Sequence, residues 1–248
     1  MLLLKKIVDK LINDEKYSFK KICNSNELFL DYKQNKSGHL ILKEIFEERV
    51  YADYFSFYKK SAIVDIGAHF GFFSLFANRN ARKDSQIYSF EPSTENFQRL
   101  KKNILDNKIE NVRMFRCAIG SKDGAGKLIH RENPANSALE EIMQSPSSSF
   151  EKVEIKTLET VIKENEIQKI DFLKMDCEGA EYAILETLSD EIFSIIKTIS
   201  LEFHDLKSEK YTSEFILEIL NKHHFKIVKN KYDRTTTGMN YGKIIATK

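Results

Sequence analysis

Two acidic side chains stand at the ends of apolar runs near the middle of the chain, and the first is followed by a glycine turn. Ile63-Val64-Asp65-Ile66-Gly67-Ala68-His69-Phe70-Gly71 reads as a buried strand that runs into a turn and then a helix. Gly67 lets the chain bend sharply after the strand, and Gly71 lets the helix approach a ligand or the sheet closely. The next apolar run ends in Phe90-Glu91-Pro92, which puts Glu91 twenty residues beyond Gly71. A carboxylate at that point can accept both hydroxyls of a ribose, because its oxygens are acceptors only. Asp65 repels a phosphate and attracts a cationic amino group, which favours a zwitterionic nucleoside. The spacing Gly-x-His-x-Gly lacks the third glycine of a dinucleotide cradle, so a nicotinamide dinucleotide is the weaker alternative. Each feature alone is equally a turn glycine or a solvated acid; strand, acid, turn, helix, strand and second acid in order make nucleoside binding the better reading.

A second cluster lies in Ile170-Asp171-Phe172-Leu173-Lys174-Met175-Asp176-Cys177-Glu178-Gly179-Ala180-Glu181. It is again a buried strand that releases polar groups at its C-terminal end, the edge where open α/β sheets hold ligands. Glu178 and Glu181 also suit the N-terminal dipole of the helix that follows. His204 ends the run Ser200-Leu201-Glu202-Phe203-His204, and its imidazole can take a proton near neutral pH. A strand-end histidine bonded to backbone is the equally weighted alternative. Asp176, Glu178, Glu202 and His204 together could hold a divalent ion. No ligand spacing fixes such a site, and no metal is expected.

The elements that must position these residues follow from the pattern of apolar runs. Ala62–Ile66, Ile87–Phe90, Val112–Cys117, Ile170–Met175 and Thr198–Phe203 are short and apolar, as buried parallel strands are. Phe72–Arg82, Ser93–Asn107 and Ala180–Leu188 between them carry helical periodicity. The expected fold is therefore an α/β doubly wound sheet over residues 60–248. Phe225–Val228 and Lys243–Thr247 form an expected antiparallel pair at its end. Residues 1–59 lack this rhythm and read as an N-terminal helical arm, with helical spacing in Leu3–Ile12 and Leu40–Tyr58 and an apolar patch at Leu28–Leu30. Within it Tyr51, Tyr54, Phe55, Phe57 and Tyr58 are more readily core than a wall for a substrate. Between Gly124 and Lys156 the chain makes a long excursion, a possible hairpin followed by a polar loop over 132–149.

Composition excludes several classes. With 248 residues, 42% hydrophobic, 31% charged, 9 Gly and 3 Pro, the chain can bury a core and is not collagen-like or disordered. Lys and Arg number 39 against 37 Asp and Glu, interspersed, so no basic face for nucleic acid is expected. Three cysteines without CxxC spacing point away from disulfides and zinc and towards a reducing compartment. No run is long enough for a membrane span or a signal peptide, and a cytoplasmic protein is the expectation.

Over residues 60–204 the sequence resembles the FkbM family of S-adenosylmethionine-dependent methyltransferases. The resemblance rests on Val64–Gly71, Phe90-Glu91-Pro92, Cys117-Ala118-Ile119-Gly120 and Lys174–Glu181. The family usually carries Asn where this chain has His69. The resemblance implies a class I methyltransferase (Rossmann-like) fold, mostly parallel with an antiparallel last strand, and S-adenosylmethionine as cofactor. It places the Asp65–Gly71 turn, His69 included, under the methionine and ribose, and Glu91 on the ribose hydroxyls. It also places Ala118 near the adenine and Asp176 near the sulfonium and amine. The acceptor it implies is a small molecule or glycan whose sugar or secondary-metabolite hydroxyl is methylated. A hydroxyl is a weak nucleophile and calls for a base, for which His204, Asp176 and Glu178 are the candidates. An RNA or protein methyltransferase and a nucleoside-binding module without catalysis are the alternatives, and Asn136-Ser137 is a candidate acceptor contact. Sequence leaves the oligomeric state open.

Overall fold

The structure, a computed structural model, describes residues 41–54, 60–129, 138–139, 150–204, 206, 208–234 and 240–248. The expected elements around Leu3–Ile12 and Leu28–Leu30, the aromatic residues Phe55, Phe57 and Tyr58, His130 and the Asn136-Ser137 pair lie outside them.

A seven-stranded sheet organises the molecule. Its strands are β1 (Ala62–Ile66), β2 (Gln86–Phe90), β3 (Val112–Phe115), β8 (Phe172–Met175), β9 (Thr198–His204), β10 (Lys226–Arg234) and β11 (Asn240–Thr247), in the spatial order β10-β11-β9-β8-β1-β2-β3. β1, β2, β3, β8 and β9 pair in parallel, and β11 runs antiparallel to both β9 and β10. The chain thus builds outward from β1 to one edge and then returns to β8 on the other side of β1. The seam between β1 and β8 is the switch point, where the strand ends leave a crevice.

Alternating burial explains why helices cover both faces. Val64, Ile66, Leu173 and Met175 pack with Tyr182, Ile184, Phe193, Ile216 and Leu220 in one core. Those partners come from α4 (Glu181–Thr187), α5 (Asp190–Ile195) and α6 (Ser213–Lys222). Ile63 and Phe172 face the other core, with Phe72, Phe73 and Phe76 of α1 (Phe72–Asn80) and Leu100 and Ile104 of α2 (Thr94–Asp106). Leu42, Ile45, Phe46 and Tyr51 join this second core, so the described part of the N-terminal arm packs on α1. It is not one helix over its length: a π-helical turn at Lys43–Glu47 and a 3-10 turn at Ala52–Tyr54 replace it. Arg49, at φ 52°, breaks the run by adopting the left-handed conformation.

The excursion after β3 carries a second sheet, and of the expected polar loop over 132–149 only Ala138–Leu139 lie within the described residues. β4 (Ala118–Ile119), β5 (Gly124–Ile129), β6 (Ala138–Leu139) and β7 (Phe150–Lys156) pair in the order β4-β7-β5-β6, around Ala118, Leu128, Val153 and Ile155. α3 (Leu158–Glu164) then returns the chain to the main sheet, capped by the Thr157 hydroxyl, which accepts from Thr160 N–H at 3.1 Å.

Candidate active site

The switch point gathers the sequence candidates. Asp65 and Lys174 are register partners in adjacent strands, with Ser89 and Ser200 in the same row. Four polar residues therefore lie side by side in one row across the middle of the sheet. Asp65 is fully buried and its Oδ2 accepts the Ser74 hydroxyl at 2.6 Å, while Ser74 also lies 2.7 Å from the Ser89 hydroxyl. Its Oδ1 has no hydrogen-bond partner but lies 3.4 Å from the Lys174 ammonium. Lys174 donates to the Gly67 carbonyl at 2.8 Å and lies 3.6 Å from Asp176 Oδ2. Burial raises the Asp65 carboxyl above its ordinary range, and the ammonium opposes that rise.

The glycine turn is built as the spacing requires. Gly67 and Gly71 have φ 74° and 80°, the region that favours glycine. At Gly67 a Cβ would stand 1.8 Å from the Asp176 carbonyl oxygen, so β1 and β8 can meet here only because the side chain is absent. Gly67 and Ala68 N–H groups both donate to the Phe90 carbonyl, at 3.0 and 2.9 Å, which ties the turn to the tip of β2. His69, at φ 51°, sends its backbone N–H to Glu91 Oε2 at 2.8 Å. Its ring stacks on Phe70 with centroids 3.8 Å apart, and neither ring nitrogen has a hydrogen-bond partner. Burial pushes its pKa down to about 4, so the imidazole is neutral at physiological pH.

Glu91 is buried, and its other oxygen accepts Ser93 N–H at 2.9 Å and Asn96 Nδ2 at 3.4 Å. Burial pushes the carboxyl up to about 7 against those hydrogen bonds. Ala118 is buried in β4, three residues past the end of β3.

On the other side of the seam, Glu181 accepts Cys177 N–H at 2.7 Å and Gly179 N–H at 2.8 Å. This carboxylate organises the turn after β8 and leaves Glu178 at φ 57° on its crest. His204 Nε2 lies 3.8 Å from both Glu178 and Glu202, its Nδ1 has no hydrogen-bond partner, and its carbonyl accepts the Tyr182 hydroxyl at 3.1 Å. Burial, with Asp176 and Glu178 adding repulsion, pushes Glu202 well above the carboxylate range. Asp176, Glu178, Glu202 and His204 do not close into a ligand set: among the described residues no group of three or more His, Cys, Asp or Glu side chains is disposed to hold a metal.

Four residues that matter here carry no site role in the sequence reading. Lys174 stands among polar neighbours there, but its inward ammonium is evident only from the register with Asp65. Tyr51, grouped with core aromatics, does pack on Phe73 with centroids 4.8 Å apart. Burial, with the charges of Asp176, Glu202 and Asp65 adding to it, pushes its hydroxyl well above the ordinary phenol range. Glu44 and Lys243 are joined as an ion pair beside Glu202. A lysine inside the apolar run of β11 was the available signal.

A seven-stranded sheet with its last strand antiparallel, and acids at the C-terminal tips of the strands around the switch point, defines a class I methyltransferase. The methyltransferase FkbM domain matches residues 65–227, and the chain belongs to that family of S-adenosylmethionine-dependent methyltransferases. Methyltransferase 1 of Beauveria bassiana is 29% identical over 198 residues, 72% of this chain and 78% of its own. Methyltransferase sdnD of Sordaria araneosa is 27% identical over 212 residues, 73% of this chain and 80% of its own. The fold is similar to that of M. capricolum TrmK, solved with S-adenosyl-homocysteine, with a TM-score of 0.50 and 12% identity over 82% of this chain and 68% of that one.

The residues fit this cofactor. Its sulfonium and amine are cationic, and Asp65, Glu91 and Asp176 outnumber the single ammonium of Lys174 at the strand tips. Asp65 Oδ1 and both His69 ring nitrogens are buried polar atoms with no hydrogen bond within the protein. Among the described residues no helix is long and apolar enough to cross a membrane.

Proposed function

We propose that the protein methylates a hydroxyl oxygen of a small molecule, a sugar or a secondary metabolite, with His204 as the general base. One observation carries the reading: His204 ends β9 beside the Asp176 turn, with Glu178 and Glu202 each 3.8 Å from Nε2. S-adenosylmethionine, when bound, supplies the electrophilic methyl group. The chain supplies the remainder. Glu91 accepts the ribose hydroxyls, the Gly67–Gly71 turn with His69 carries the methionine end, Ala118 borders the adenine, and Asp65 and Asp176 offset the positive charge. His204 takes the acceptor proton as the oxygen attacks, and the neighbouring Glu178 carboxylate stabilises the imidazolium that forms. Glu178, on the strained crest of the turn, faces the same proton.

Single-turnover measurement with a panel of hydroxyl, amine and thiol acceptors tests the reading. Hydroxyl acceptors alone should yield product. His204→Ala should slow methyl transfer by about 100-fold or more while leaving cofactor affinity within a few-fold. Wild-type turnover in that variant removes His204 from the chemistry, and transfer to amines alone removes the oxygen acceptor.

A further inference from the structure

Glu181 and Tyr182 are consecutive at the start of α4, and each holds a different half of the candidate site. The Glu181 carboxylate accepts Cys177 N–H at 2.7 Å and Gly179 N–H at 2.8 Å, which fixes the turn carrying Asp176 and Glu178. The Tyr182 hydroxyl donates to the His204 carbonyl at 3.1 Å, which fixes the end of β9. Both side chains are buried and act from inside the protein. The first turn of α4 thus joins the two elements between which His204 Nε2 and Glu178 Oε2 stand 3.8 Å apart.

The hydroxyl is not needed to fill the core. Tyr182 packs in one apolar cluster with Leu201 and Phe203 of β9 and Ile216 and Leu220 of α6, and a phenylalanine would fill the same space without a polar atom to satisfy. What the hydroxyl adds is direction, because a hydrogen bond from a buried donor sets where the last residue of β9 stops relative to α4. A base must lie within hydrogen-bond reach of the proton it takes, and a misplacement of about 1 Å can cost about 100-fold in rate. We propose that Tyr182 is a positioning residue: through the His204 carbonyl, its hydroxyl holds His204 at the distance from the Asp176–Glu178 turn that proton transfer from the acceptor requires. This rests on the reading of His204 as the base given above.

Tyr182 is itself braced from the segment that follows β9. Tyr211 stacks on its ring with centroids 5.4 Å apart and planes 26° apart. The Tyr211 hydroxyl donates to Glu186 at 3.1 Å, and Lys210 pairs with the same carboxylate while lying 5.1 Å from the Tyr211 ring. Residues 182 and 186 share one face of α4, four positions apart. Lys210 and Tyr211 therefore clasp the helix over the ring that carries the hydroxyl, and the ring cannot swing away from the end of β9 without opening that clasp.

Tyr182→Phe keeps the ring, the core and the stack on Tyr211 and removes only the oxygen. In single-turnover measurements it should slow methyl transfer by about tenfold, with affinity for S-adenosyl-homocysteine and the acceptor KM each within about twofold of wild type. Combination with His204→Ala tells positioning from general loosening: in a chain without the base the hydroxyl has nothing to position, so Tyr182→Phe should not slow the residual transfer further. A wild-type rate in folded Tyr182→Phe, or the same tenfold loss on the His204→Ala background, overturns the proposal. Should Tyr182→Phe not fold, Tyr211→Ala decides: loss of the brace should slow transfer by about threefold at unchanged cofactor affinity, and an unchanged rate overturns the proposal. If His204→Ala itself transfers at the wild-type rate, the base assignment fails and the positioning role fails with it. If His204→Ala is slow and Tyr182→Phe is not, only the positioning role fails.

Discussion

Glu91 accepts the backbone N–H of His69 at 2.8 Å, so the acid that closes β2 also fastens the turn that leaves β1. The carboxyl stands at about 7 because of burial, and near neutrality it is only partly ionised. Ribose hydroxyls donate to the ionised form, so binding of S-adenosyl-homocysteine should release a proton from Glu91. The sign follows directly: affinity rises with pH. Calorimetry should find binding about tenfold tighter at pH 8 than at pH 6. Glu91→Gln should bind more weakly by about 1–3 kcal/mol and lose this pH dependence. A flat profile in the wild-type protein would take Glu91 off the ribose.

Lys174 is a buried ammonium, 5% exposed, with Asp65 at 3.4 Å and the Gly67 carbonyl at 2.8 Å. Removing it leaves the buried Asp65 carboxyl with the Ser74 hydroxyl as a partner but no facing cation. Lys174→Met should therefore cost about 3–5 kcal/mol in urea denaturation. Asp65→Asn in the same chain should recover part of that loss, giving a coupling that is absent when Asp65→Asn is paired with a distant change. Additive losses in the double variant would mean that the two groups do not act as a pair.

Gly67 and Gly71 share a left-handed conformation but differ in what an added methyl would meet. At Gly67 it meets the Asp176 carbonyl oxygen at 1.8 Å, and backbone cannot step aside without parting β1 from β8. At Gly71 it meets Leu100 Cδ1 at 2.4 Å, the far end of a flexible side chain. Gly67→Ala should consequently abolish cofactor binding and lower stability by more than about 3 kcal/mol. Gly71→Ala should cost less and retain measurable binding. Equal losses in thermal denaturation and calorimetry would show that backbone conformation, not the approach of Asp176, sets the requirement.

Which parts of this site could be read from the sequence depends on whether a residue acts through its neighbours in the chain or across the sheet. β1 falls at Ala62–Ile66 as its apolar run indicates, and the helix expected at Ser93–Asn107 forms over Thr94–Asp106 with Ser93 as its cap. Local signals settle such elements: a β-branched run, a glycine at a turn, a serine before a helix. The second sheet was legible only as a possible hairpin, because β4 and β7 pair across more than thirty residues and Ala118–Ile119 is too short to show a period. Lys174 and Lys243 illustrate the same limit. A lysine in an apolar run gives no sign of which carboxylate it will face until register sets Lys174 opposite Asp65 and Lys243 opposite Glu202. Glu44 reaches its partner through packing of the N-terminal segment on α1, a contact that no periodicity encodes.

His69 and Glu91, joined by one hydrogen bond, should pull the stability of the cofactor-free protein in opposite directions with pH. Burial lowers His69 from 6.5 to about 4, so between these values the unfolded chain binds more protons and stability rises with pH. Glu91 is raised from 4.5 to about 7, so over that range the folded protein binds more protons and stability falls as pH rises. Each shift corresponds to roughly 3 kcal/mol, and in the wild-type protein the two nearly cancel. Single substitutions should expose them. His69→Asn should become less stable from pH 4.5 to 7, whereas Glu91→Gln should become more stable from pH 4 to 6.5. The amide at position 91 turns an N–H group towards one of its backbone donors, which lowers stability equally at every pH and leaves the slope intact. Urea denaturation across this range reads both slopes, and parallel profiles in the two variants would show that neither group is held in the ionisation state its burial implies.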